Sequence, residues 1–445
     1  MADKQQSRRD FLASSAALSA GAALAFGSAA SYARIVGANE RLNLAFVGVR
    51  SRGKALFEAT HRTAGETARV HTLCDVDSRV LASESEAVRL LTGEAPVLRR
   101  DFRTVVEDPD IDAVVIATPD HTHAPFAILA AAAGLDVYVE KPCSHNPHEG
   151  ELLVDAARRH KRVVQMGNQQ RSAPTSIEAI ADIRGGAIGR PYMGKAWYSN
   201  ARPSIGRGAA APVPDWLDWD LWQGPAPRRE YRDNIVHYNW HWFWHWGTGE
   251  VNNNGLHEID ICRWALDVGL PKRVTSGGGR YHFDDDWEFY DTQVVNYEYD
   301  DALITWEGRS SNPYPVYERG RGATIHGTDG TILIDRNGYQ LLDNAGALVK
   351  QVNERAASGT TDLTGGGALD DYHLANFFAA IRDSTALHAP IDEGAASTLM
   401  CHLGNIAQKV GRVLEIEPDT GRIRDDREAM QLWKREYAPG WEPRA

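Results

Sequence analysis

From residue 42 to residue 47 the chain is dominated by apolar side chains, ends in Gly48-Val49-Arg50-Ser51-Arg52-Gly53, and then turns helical through Leu56 and Phe57. A short apolar run closed by a glycine turn is the pattern of a strand buried on both faces. The motif recurs: residues 69–75 and 113–117 predict strands, 126–133 a helix, and 135–139 a strand that runs into Glu140-Lys141-Pro142. Strands alternating with helices through short turns predict a parallel sheet of α/β class. Beyond residue 166 the pattern changes to a helix at 174–184, a strand at 192–200, and a long excursion over 201–238 carrying Pro203, Pro212, Pro214, Pro225 and Pro227. A connection of that length in a compact enzyme usually serves as a lid or arm. Runs at 275–282, 291–299, 302–309, 323–327 and 331–335 predict short strands, and 372–381 and 395–410 amphipathic helices. Trp240-His241-Trp242-Phe243-Trp244-His245-Trp246 alternates strictly, so an extended backbone there puts four indoles on one face.

Ligands of parallel α/β sheets gather at the carboxyl ends of the strands. Gly48, Ser51 and Gly53 build a turn that aims a helix N-terminus at a pyrophosphate. The central glycine of the G-x-G-x-x-G fingerprint is replaced by Arg50, so the guanidinium of Arg50 or Arg52 is a candidate to meet phosphate directly. Asp75, 27 positions after Gly48, ends the second strand where a carboxylate accepts the ribose hydroxyls of NAD and repels the 2′-phosphate of NADP. The alternative for Asp75 is a plain turn residue, as for Asp77. Thr118, Pro119, His121, His123, Glu140, Lys141, Asn168 and Gln170 lie at or just past later strand ends, which makes them candidate cofactor contacts.

Lys141, between an acid and a proline, is held rigidly, although a solvated surface lysine fits the same position. Hydride removal from a secondary alcohol needs a proton acceptor and a positive group beside the developing alkoxide. His257 titrates in the useful range, and Lys141 supplies the charge. Asn253 and His257 are spaced i, i+4, and Asp260 follows at i+3, so one helical face can carry all three with Asp260 orienting the imidazole. The alternative makes Asn253 and Asp260 capping or core groups. Arg171, Trp240, Trp242 and Trp244 are candidate substrate contacts with Lys141 and His257, because flat indoles stack on the C–H faces of sugars. The alternative for these rings is the core or an oligomer contact. His237, His241 and His245 repeat every four residues, as metal ligands on a helix would, but no acid lies between them and the strand alternation competes, so no metal site is expected.

The segments 120–124, Val139-Glu140-Lys141-Pro142, and Gly247-Thr248-Gly249-Glu250-Val251-Asn252-Asn253-Asn254-Gly255-Leu256-His257-Glu258-Ile259-Asp260 resemble the glucose-fructose oxidoreductase / inositol dehydrogenase / MocA family over most of the chain, about 39–415. The resemblance implies an N-terminal Rossmann domain followed by a C-terminal α/β domain containing a large, mostly antiparallel sheet, and a homodimer or homotetramer. It further implies a lysine, here Lys141, that contacts nicotinamide and substrate, and an acid/base histidine, here His257. Many family members carry Asp four residues before that histidine. This chain has Asn253, which holds a hydroxyl but takes no proton.

Composition sharpens the division. All 13 tryptophans lie at or after Trp197, which separates a Trp-free cofactor half from a Trp-rich substrate half. The net charge of -12 argues against a nucleic-acid partner. Cys74, Cys143, Cys262 and Cys401 show no ligand or disulfide spacing and read as buried thiols. Ser7-Arg8-Arg9-Asp10-Phe11-Leu12 and the Ala-rich run after it resemble a twin-arginine export signal, and its apolar stretch is shorter than the ~20 residues that span a bilayer. The expected organisation is a signal at 1–33, an NAD domain at 40–166, a substrate and oligomerisation domain at 167–415, and an extension at 416–445.

That signal implies the export machinery as a partner, a periplasmic location, and an NAD inserted before export and kept tightly bound. A retained cofactor must be restored in place. Two sugars exchanging hydride satisfies this, and so does glycoside cleavage through transient oxidation at a sugar carbon. A non-catalytic sugar-binding protein is the remaining class, and it would be expected to lack Lys141 or His257.

Overall fold

The computed structural model describes residues 41–354 and 367–445; the export-signal motif lies outside them. Six strands, β1 Leu42–Val47, β2 Ala68–Cys74, β3 Val97–Arg99, β4 Ala113–Ile116, β5 Asp136–Val139 and β6 Val164–Met166, form a sheet in the order β3-β2-β1-β4-β5-β6. Every pairing in it is parallel. β4 is buried at all four positions, which is why it reads as continuous Ala, Val and Ile. The helix expected at 126–133 begins earlier, at Asp120–Ala132, because the chain turns helical directly after Pro119. The strand order reverses at β1/β4, which leaves a crevice beyond the carboxyl ends of both strands.

The second sheet has nine strands in the order β14-β13-β12-β11-β7-β10-β9-β8-β15: β7 Pro191–Ser199, β8 Arg273–Gly279, β9 Thr292–Glu298, β10 Leu303–Arg309, β11 Arg321–Gly327, β12 Gly330–Asp335, β13 Gly338–Asp343, β14 Leu348–Asn353 and β15 Leu414–Glu415. Only β7 and β10 pair in parallel; the other pairings are antiparallel. β10 alternates buried and half-buried positions, one face packing on helices. The helix Leu256–Leu266 beds on this sheet at Gly194, where an added Cβ would come within 2.8 Å of the Cys262 side chain. That close seat fixes the height of His257 above the sheet.

Two late segments cross back to the first sheet. The helix Gly367–Asp383 buries Leu374, Phe377 and Phe378 with Leu44, Phe46 and Phe57. The tail buries Trp433 and Ala438, and Arg435 pairs with the fully buried Glu149 at 3.0 Å. The stretch 240–246 is not a strand: Asn239–Trp242 is a 3-10 turn, and Phe243–Gly247 turns again. Trp242 stacks on Trp287 at 3.7 Å and Trp244 lies 3.9 Å from Phe289, while Trp240 and Trp246 join a core with Trp219 and Trp222. The row of four indoles on one face is therefore not formed.

Candidate active site

A crevice of about 1310 Å³ runs from the β1 and β2 ends of the first sheet to the β11–β12 edge of the second. At its first end, Gly48 has φ +77, and a Cβ there would lie 2.7 Å from the Ala117 carbonyl oxygen. A Cβ on Gly53 would collide with the Gly48 carbonyl at 1.9 Å. Only glycines let the turn fold this tightly against the start of the helix Arg52–Ala64. This is the bare-backbone cradle a pyrophosphate needs. Arg50 and Ser51 border it and are exposed.

Asp75 also lines the crevice, with its carboxylate accepting the Val49 and Asp77 N–H groups at 2.9 and 3.0 Å. Burial pushes its pKa up, and these N–H bonds counter that. The carboxylate is thus oriented by backbone and keeps lone pairs for hydroxyl donors. A dinucleotide fits these residues: a glycine cradle where a Cβ has no room, a helix N-terminus, and an oriented acid at the end of the second strand.

Several candidates sit elsewhere than expected. Arg52 does not present a spare guanidinium to phosphate: Nε donates to Glu140 at 2.7 Å, and both terminal nitrogens donate to Asp370 at 2.6 Å. Glu140, on the crevice wall, also accepts from Gln169 at 3.0 Å, so it organises Arg52. Thr118, Pro119 and His123 line the crevice, and His123 ties the Thr118 and Pro142 carbonyls together at 2.6 Å each. His121 is fully buried off the crevice against the Trp222 carbonyl, and Asn168 is buried away from the lining as well. Gln170 lines it and donates to the Asp335 carbonyl at 3.2 Å.

At the other end, Lys141 Nζ donates to the Asn253 backbone carbonyl at 2.5 Å and to its side-chain oxygen at 3.3 Å. Asn253 belongs to a single π turn, Val251–Gly255, that interrupts the helix before His257. The regular i, i+4 face is therefore broken, and Asn253 acts as the seat of the lysine. Burial lowers the Lys141 pKa, while Glu140 and Asp120 hold it up. Asp120 accepts from the Thr248 hydroxyl.

The His257 side chain lines the crevice, and among the described residues its ring makes no hydrogen bond, which leaves both nitrogens for a ligand. Burial, then the charges of Arg336, Lys141 and Arg321, hold its pKa well below the ordinary histidine value. It is a neutral imidazole at pH 7.

Asp260 does not orient it. The Asp260 carboxylate forms a two-point pair with Arg171 at 2.7 and 2.9 Å, accepts from Ser397, and lies off the crevice with Arg171. One helical turn beyond His257 the Asp260 face points into the core, where Arg171 from the 3-10 turn Gln169–Ser172 meets it. Trp242 and Trp244 are likewise off the crevice, and Trp240 alone of the three borders it. His237, His241 and His245 bond or approach three different neighbours, Asp77, the Tyr238 carbonyl and the Pro227 carbonyl, because no helix aligns them.

Sequence reasoning missed Tyr198, Arg202, Tyr238, Asn254, Arg321 and Arg336, which line the substrate end. Arg202 pairs with Glu250, and Arg321 with Glu258 at 2.7 Å. Burial, then Arg321, lowers Arg336 to about 10. Asn254 stands beside Asn253 in the π turn, within the motif that carries His257; no local motif marks the other five, which the fold gathers from β7, the excursion and the β11–β12 edge.

Residues 42–168 match the family model described as oxidoreductase family, NAD-binding Rossmann fold, and 202–334 match that family's C-terminal alpha/beta domain. Levoglucosan dehydrogenase of Pseudarthrobacter phenanthrenivorans is 40% identical over 189 residues, 40% of this chain and 42% of that protein. The scyllo-inositol 2-dehydrogenase (NAD(+)) of Bacillus subtilis is 28% identical over 234 residues, 52% of this chain and 57% of the relative. The chain thus aligns with roughly half the length of these curated relatives. Solved structures share the fold: levoglucosan dehydrogenase with NADH superposes with a TM-score of 0.66 at 19% identity, covering 85% of this chain and 99% of that one. An Agrobacterium radiobacter oxidoreductase with NAD+ and L-tartaric acid gives 0.64 at 16%, covering 84% and 98%. With both of its domain models matched in order on one chain, the protein belongs to the GFO/IDH/MocA oxidoreductase family.

Proposed function

We propose that the protein interconverts a ring hydroxyl and the corresponding ketone on a sugar or polyol with NAD, and that it works in the periplasm with a cofactor retained from folding. The observation that carries the chemistry is the pairing of Lys141 and His257 on one crevice wall, continuous with the glycine cradle and Asp75. NAD, when bound, accepts or returns the hydride. Gly48, Gly53 and Asp75 hold it, and the Asn253 seat fixes the Lys141 ammonium where negative charge develops on the reacting oxygen. The neutral His257 takes the hydroxyl proton; the cations that depress its proton affinity are offset by the alkoxide forming beside it.

Relatives named for levoglucosan and inositol point to a polyhydroxylated ring as substrate. The twin-arginine motif supports export, and the exposed Tyr192 and Val294 on the second sheet suit its packing in a homodimer or homotetramer. Denaturing the purified protein and assaying the supernatant tests retention: nicotinamide cofactor near one per chain is expected, and its absence refutes retention. A panel of sugars, polyols and glycosides without added NAD then reports the reaction. Hydride exchange between two sugars supports the oxidoreductase, whereas bond cleavage without net redox product replaces it with a glycosidase or lyase.

A further inference from the structure

The excursion between β7 and the His257 helix follows a strand of the second sheet, yet it is fastened to the first sheet beside Asp75. Leu217 bridges to Asp77, the Ser78 N–H donates to the Trp216 carbonyl at 2.9 Å, and the Asp218 N–H donates to the Val76 carbonyl at 3.1 Å. His237 Nε2 lies 3.0 Å from the buried Asp77 carboxylate, which Arg79 also meets at 2.9 Å. Trp216 is held between His237, stacked at 5.4 Å, and the Arg79 guanidinium, 3.5 Å from the ring centre.

Behind this contact the excursion has a core of its own. Trp219 stacks on Trp222 at 4.8 Å and packs with Leu217, Tyr231 and Ile235. The C-terminal tail braces it through the Ala438 N–H, which donates to the Pro225 carbonyl at 3.0 Å. Leu221, Trp222 and His237 face the same crevice as Asp75 and Val76. An acid at the end of the second strand marks the adenosine ribose of a bound dinucleotide, so these three side chains stand at the adenosine end.

We propose that Leu221, Trp222 and His237, locked onto the Val76–Ser78 turn through Trp216, form a second wall for the adenosine half of NAD and set how slowly the cofactor leaves. This rests on the NAD site proposed above. Retention then needs no covalent link: the wall is rigid, built from aromatic packing, and tied to the turn that carries Asp75.

The test is the NADH dissociation rate, read by fluorescence after a chase with excess NAD, for wild type, Trp216→Ala and His237→Ala. Reduced nicotinamide mononucleotide, which lacks adenosine, is the comparison ligand. NADH is expected to leave either variant about tenfold faster or more, with the mononucleotide rate changed less than about twofold. His237, 22% exposed at its side chain, carries the test if Trp216→Ala does not fold, as judged by circular dichroism. Unchanged NADH rates in the folded variants overturn the wall, and so does equal acceleration of both ligands, which means a general loosening. Wild type that binds neither ligand overturns the NAD site itself, and this inference with it.

Discussion

Replacing Asp260 by Asn should cost stability and leave chemistry almost untouched. The side chains of Asp260 and Arg171 are 2% and 5% exposed, and the carboxylate carries two guanidinium bonds and the Ser397 hydroxyl. Removing one partner from a buried pair strands the other and costs about 3–5 kcal/mol. Arg171 keeps Glu393 at 3.4 Å, a residue with a 45% exposed side chain, so the loss belongs at the low end, about 3 kcal/mol. Burial pushes the Asp260 pKa up, but Arg171's charge and hydrogen bonds outweigh it, so the folded value is lowered. The pair's contribution is therefore present above the unfolded carboxylate value near about 3.9 and is lost as pH falls through the folded one. Urea unfolding of Asp260→Asn at neutral pH measures the cost. Turnover below the unfolding range should stay within about threefold of wild type. A variant of normal stability that loses about 100-fold in kcat with a displaced pH profile would instead make Asp260 the residue that orients His257.

Three further outcomes follow from the same geometry. Burial holds His373 and His402 at about 4 when folded, against 6.5 when exposed, so the unfolded chain binds protons that the folded one refuses. Stability is intact above 6.5 and should fall by about 2 kcal/mol per histidine between pH 7.5 and 5; urea titrations that are flat over that range would contradict this. Trp242→Ala should lose about 3–5 kcal/mol in urea unfolding, because the ring is 1% exposed and stacked on Trp287; an unchanged unfolding midpoint would contradict this. Asp75→Ala should weaken NAD binding about tenfold, the loss of one oriented acceptor, and narrow the preference over NADP, both measurable by titration.

The first sheet was legible because β1, β4 and β5 are short, largely apolar runs that end in a turn, and these could be read within a residue or two. β3, two half-buried residues flanking an exposed Leu98 at a sheet edge, has no such signature, and β14 is exposed or half-buried throughout, with no apolar period. The helix Gly367–Asp383 was visible as a helix, but nothing local shows that its aromatics cross back to Phe46 and Phe57. The same distinction runs through the active site. Lys141 and His257 stand in short motifs, whereas the partners that fix Arg52 come from Glu140 and from Asp370, 318 positions away. Period-two alternation misled at 240–246 because tryptophans that fill separate cores can alternate by coincidence, and the chain turns twice there.

The central claim is that Lys141, seated on Asn253 beside His257, stabilises the oxygen from which hydride departs. The most direct measurement is the single-turnover rate of nicotinamide reduction by the best sugar of the panel, compared between wild type and Lys141→Met. The variant should still bind NADH and should lose at least about 100-fold in that rate, the usual effect of removing one fixed group that stabilises an oxyanion. A variant that reduces the nicotinamide at close to the wild-type rate would contradict it.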